Sequence, residues 1–167
     1  MDASKLEVIY FKTVDLWNRL CEYHNKLYSI TCNEYSTLLK SDLDTLDNIL
    51  ESKKDVINKI HGLDSIRRSI IDEINQLQEK TTVSNVSELI NFLQTYEDKK
   101  DINNIKKFNS LLIDVIKKIK KQNKHNQLFI NKAVLSLEEL KQETVGEKQN
   151  YATYTSSGAP ELRHKIR

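Results

Sequence analysis

From Met1 to Val145 the chain carries a single glycine, Gly62, and no proline, and this near-absence of backbone breakers is the tightest constraint on its fold. Sheets need frequent turns, and turns draw on Gly and Pro, so a span this long without them leaves helices as the regular structure able to fill it. Apolar residues recur through it at the three- and four-residue intervals of one helix face. The other breakers, Gly146, Gly158 and Pro160, all lie in the last 22 residues, beside few side chains able to fill a core. The expected class is all-α: an elongated antiparallel helical bundle or coiled-coil hairpin over residues 1–145, with a long C-terminal helix, and a flexible tail over 146–167.

At 167 residues, 38% hydrophobic and 30% charged, the chain has the size and balance of one helical domain. Residues 1–145 hold 22 basic and 22 acidic side chains, so the body is neutral. Its charges are unevenly spread: residues 34–79 carry ten acids against six bases, whereas 99–124 carry nine lysines against Asp101 and Asp114. Those two segments could pair with each other. No stretch approaches the roughly 20 apolar residues that span a bilayer, and the polar N-terminus lacks a signal pattern, so the expected location is cytoplasmic, without membrane insertion. Cys21 and Cys32 are 11 residues apart on one expected helix. That separation is about 16 Å, beyond disulfide reach, and both read as small buried hydrophobes.

Four helices are expected, over about 5–39, 42–79, 85–97 and 101–145. The first carries an apolar stripe of Leu6, Ile9, Leu16, Trp17, Leu20, Leu27 and Leu38; His24 and Glu34 fall on that face, reaching solvent or a cross-helix partner at its edge. Ser41 is read as the N-cap of the second helix, whose seam takes Leu43, Leu46, Leu50, Ile57, Ile60, Ile71 and Ile74 and passes through Lys53, Asp64 and Arg67. With only Lys40 and Ser41 between the stripes, the chain should reverse there. Gly62 falls mid-helix and is read as allowing close packing. Asn85 with Glu88 resembles a capping box, and Glu97 to Lys100 reads as a charged turn.

In the last helix, Ile105, Phe108, Leu111, Leu112, Val115, Ile116, Ile119, Phe129, Ile130, Ala133, Val134, Leu137 and Leu140 share one arc of about 140°, with Asn123 and Asn126 as a polar layer that fixes register. Leu128 and Leu135 point almost opposite to Leu137. With Val145, Tyr151 and Tyr154 at the start of the tail, they form the candidate partner-binding site.

No glycine-rich phosphate loop, CxxC, HExxH or GxSxG occurs, and His24, His61, His125 and His164 are dispersed. No catalytic residue, metal ligand or cofactor is expected. The run Lys117 to Asn126 clusters lysines but interleaves no aromatic or arginine side chains, which argues against nucleic-acid binding. A structural coiled-coil protein without a client is the competing reading.

The segment Asn33 to Arg68 resembles the helical hairpin of the FlgN-type flagellar export chaperones. Glu34, the Leu38–Leu39 pair, Ser41 and Asp42 opening a helix, the repeat Leu46 and Leu50, Lys53 or Lys54, and the pair Arg67–Arg68 carry the likeness. An Asn-rich opening from Asn123 to Gln127, the apolar run Leu128 to Leu140, and a tail with Tyr151, Tyr154 and Gly158 extend it. Ser41 stands where that family usually has Gly. The resemblance implies a cytosolic, substrate-specific chaperone that holds the C-terminal segments of flagellar hook-filament junction proteins unassembled. It also implies delivery to the type III export apparatus, whose components are then possible partners.

Overall fold

The computed structural model describes residues 3–77, 82–100, 102–145, 152–154 and 160–162. Four helices account for nearly all of them: α1 (Ala3–Lys40), α2 (Leu43–Leu77), α3 (Val86–Lys100) and α4 (Asn104–Val145). The fold is all-α. Two three-residue strands, β1 (Ala152–Tyr154) and β2 (Pro160–Leu162), pair antiparallel in the segment read as a flexible tail. The chain divides into two compact units, Met1–Asn126 and Gln127–Arg167, so the division falls inside α4 rather than at Gly146.

In the first unit, α1 and α2 form an antiparallel hairpin. Lys12 lies against Glu73 at 3.1 Å near its open end, and Glu34 pairs with Lys53 near its closed end. The turn between them is two residues long. Ser41 takes a positive φ of 56°, its N–H donating to the Leu38 carbonyl at 3.1 Å and the Asp42 N–H to the Thr37 carbonyl at 3.4 Å, the bond pair of a Schellman ending. Asp42 rather than Ser41 caps α2, its Oδ1 accepting the Thr45 N–H at 3.1 Å. Hydrogen bonding from Thr45 holds the Asp42 carboxyl below its usual range.

The α2 seam is turned by about one residue from the expected register. Val56, Leu63, Ile70 and Ile74 are its buried members, with Ile57, Ile60, Ile71 and Leu77 packed beside them. Val56, Leu63 and Ile70 continue a heptad that the expected seam passed over, and as a consequence Leu43 and Leu50 fall outside it. Gly62 lies on the exposed face with nothing within 4 Å of where a Cβ would stand, so close packing is not its role.

The linker after α2 is pinned by Asn75, whose side chain exchanges two 2.8 Å hydrogen bonds with the backbone of buried Val83. Asn85 then caps α3, accepting the Glu88 N–H at 3.0 Å, while Glu88 reaches back to the Ser84 N–H at 2.7 Å. Residues 97–100 complete α3 instead of forming a turn. Glu97 is buried there and caps the next helix: its Oε1 accepts from the N–H groups of Asn104 and Ile105 at 2.8 and 2.9 Å and from the Tyr10 hydroxyl at 2.8 Å. A carboxyl oxygen at a helix N-terminus satisfies donors that have no partner within the helix.

The first part of α4 runs alongside α1 in the same direction. Trp17 Nε1 donates to Asn109 Oδ1 at 3.4 Å, Cys21 Sγ to the Phe108 carbonyl at 3.4 Å, and Asn126 Nδ2 to the Thr31 carbonyl at 3.0 Å. Its buried side chains are Ile105, Leu112, Val115, Ile119 and Asn126, mostly one heptad apart. Lys53 links the Glu34 carboxylate to Asn123 Oδ1 at 3.0 Å, so one polar layer joins α1, α2 and α4. Such a layer tolerates one register only, because any slip leaves a buried polar group without its partner.

Candidate functional site

The second unit begins where the bundle heptad of α4 runs out of buried side chains. The positions that continue Ile105, Leu112, Ile119 and Asn126 are Ala133 and Leu140, and those that continue Phe108 and Val115 include Ser136 and Glu143. The bulky residues move round the helix instead, to Ile130, Val134 and Leu137, because a 3.6-residue repeat drifts against a seven-residue one. Every described residue from Asn131 to Thr144 is exposed. Ala133, Val134, Leu137 and Leu140, expected in the core, are therefore on the surface, with Leu137 at 65% exposure.

Leu128 and Leu135 are exposed as well, at 48 and 58%. They stand seven residues apart on the side of the helix opposite Leu137. This stretch thus carries two apolar stripes, a broad one through Ile130, Val134 and Leu137 and a narrow one through Leu128 and Leu135. Between them lie Lys132, Glu138, Glu139 and Glu143, while Lys141 falls on the broad stripe itself. Large apolar side chains exposed together on one helix form a patch of the kind found at interaction surfaces. Local bonds keep it helical, among them Gln127 to Asn131 at 2.9 Å and Thr144 to the Leu140 carbonyl at 2.7 Å.

Of the other expected site residues, Val145 ends α4 and Tyr154 lies in β1 opposite Pro160, with the side chains of both outside the described residues. Tyr151 lies wholly outside them.

Among the described residues, no acid of residues 34–79 pairs with a lysine of residues 99–124. Among the described residues, the one α4 ion pair is Lys117 with Asp114 on the same helix, and Lys106, Lys107, Lys118, Lys120, Lys121 and Lys124 are exposed. The α2 lysine that reaches α4, Lys53, meets an amide.

Burial pushes the Cys21 thiol up, which disfavours the nucleophilic thiolate. Among the described residues no group of three His, Cys, Asp or Glu side chains could hold a metal ion, and no helix is long and apolar enough to cross a membrane.

A family model described as FlgN protein matches residues 10–161 of the chain. No curated protein and no solved structure matches it.

Proposed function

The chain belongs to the FlgN family of flagellar export chaperones, and on that premise we propose that it serves the hook-filament junction proteins of a flagellum. It acts in the cytoplasm, holds the C-terminal helical segments of those clients unassembled and assists their delivery to the type III export apparatus. The observation that carries this reading is the exposed second half of α4, with its two apolar stripes.

The physical logic is masking. Helices that will later pack into a filament carry amphipathic stripes beforehand, and such stripes associate with one another unless covered. A partner helix that offers its own apolar face covers them by burial alone, without nucleotide or metal. Because the stripes of α4 lie on opposite sides, one client helix covers one of them, and full coverage calls for a client that supplies two helical segments. Val145, Tyr151 and Tyr154 extend the site into the tail.

Replacing Leu128 and Leu135 together by Asp should abolish capture of a junction protein's C-terminal segment in a pull-down while circular dichroism stays unchanged. The same result is expected for Val134 with Leu137, the broad stripe. Undiminished capture by both double variants would remove the site from this helix.

A further inference from the structure

A second exposed apolar feature sits on other elements, at the α1–α2 turn. Leu39 near the end of α1 is 56% exposed, and Leu43 and Leu50, one heptad apart on α2, are 71 and 44% exposed. Leu46 and Ile49 are half-buried toward the seam, so the three leucines form a ledge beside it. At about 100° per residue, exposed Lys54 comes next round α2 from this ledge, and beyond it the acids Asp47, Glu51, Asp44 and Asp55 follow in turn. All four carboxylates are exposed, and among the described residues none of them enters an ion pair. Asp42 adds a fifth acid at the turn, against Lys40 and Lys54 as the nearby exposed cations.

Ordinary exposed leucines occur singly among mixed charges, whereas here three of them line up beside an acidic face that the rest of the molecule leaves unmatched. We propose that the hairpin tip is a second docking surface, distinct from the α4 site, and that its occupant is a basic amphipathic helix of a partner protein. The partner's apolar stripe seats on Leu39, Leu43 and Leu50. Its flanking lysines or arginines face Asp47, Glu51 and Asp44, which fix its orientation and speed encounter.

The charge argues against the alternatives. An acidic tip is repelled by anionic lipid headgroups. Within the lysine run of α4, Ile119 is buried and Ile116 partly buried, and Ile113, 44% exposed, is the apolar side chain on the lysines' face, so a second copy brings one apolar contact there rather than a stripe matching three leucines, and its Leu128 and Leu135 lie beyond the run.

The test uses the full chain and a labelled synthetic helix of leucine and lysine with one apolar face, read by fluorescence anisotropy at physiological salt. Saturable binding is expected, with none for the glutamate counterpart of the same peptide. Leu43→Ser combined with Leu50→Ser should weaken binding about tenfold or more, as for loss of an interface centre. These side chains are already exposed, so the thermal melt should not move. Asp44→Asn, Asp47→Asn and Glu51→Gln together should weaken it and flatten its salt dependence. The Leu128→Asp, Leu135→Asp variant should bind the peptide like the parent, which separates this surface from the client site. Equal binding of the acidic peptide, no loss in the tip variants, or loss in the α4 variant would overturn the proposal. So would a dimer in sedimentation equilibrium that the Leu43→Ser, Leu50→Ser variant dissolves, because the occupant would then be a second copy.

Discussion

Tyr10 shows how one side chain ties three helices together. Its ring is buried on α1 against Tyr96 of α3, with centroids 4.9 Å apart, and its hydroxyl donates to Glu97, the α3 residue that caps α4. Burial first, and then the Glu97 hydrogen bond, pushes its pKa from 10.0 to about 12. Below pH 10 both the folded and the unfolded chain hold this proton, and the full stabilisation is present. Between pH 10 and 12 the unfolded chain releases the proton while the fold keeps it, so stability falls as pH rises. Tyr10→Phe should lower stability by about 1–2 kcal/mol at neutral pH. Urea melts from pH 9 upward should then show a shallower alkaline decline in the variant than in the parent; parallel declines would remove Tyr10 from the effect. Ser41 gives the opposite kind of prediction. A non-glycine residue at φ 56° carries left-handed strain of about 1 kcal/mol, which glycine lacks. Ser41→Gly should therefore raise the denaturation midpoint, and this position is also the one where the family resemblance departs from its usual glycine.

At the scale of elements, the hairpin, the short third helix and the long fourth helix are legible in the spacing of apolar residues, because helix periodicity survives any packing partner. Which face turns inward is less legible. On α2 the expected Ile57, Ile60, Ile71 and Ile74 do face the core, whereas Leu43 and Leu50 outweigh Val56 as hydrophobes and yet stand outside it, because Val56 shares a buried heptad with Leu63 and Ile70. The exposed stretch of α4 was half legible. Leu128 and Leu135 break the stripe visibly, whereas Leu137 and Leu140 keep a helical period that looks the same whether a partner lies in this chain or another. Glu97 left a signal that spacing arguments do not weigh: an acidic side chain just ahead of a helix start. Gly62 provides the element-scale prediction. It sits in an exposed helix interior with open space at its Cβ position, so Gly62→Ala should stabilise α2 by roughly 0.5–1 kcal/mol, measured by thermal or urea melts. A destabilised variant would mean that the glycine serves a contact made only in a complex.

For the molecule as a whole, the two units differ in what holds them. The first has a buried core with a polar layer of Glu34, Lys53, Asn123 and the Asn126–Thr31 bond, whereas the described helix of the second has no fully buried side chain. A helical segment without tertiary burial is marginal in water and opens readily. Limited proteolysis of the free protein should therefore cut first between Gln127 and Val145 and leave the first unit intact, and a bound client segment should slow that cut by about tenfold or more. Cleavage inside α1 or α2 at the same rate would contradict this division. The exposed second half of α4 implies something about supply rather than stability. If the client is what shields the second half of α4, an idle copy is the form that proteases remove, and the number of surviving copies follows the number of clients awaiting export. The bare helix then acts as a stock-keeper: it matches the amount of chaperone to demand without any separate sensor.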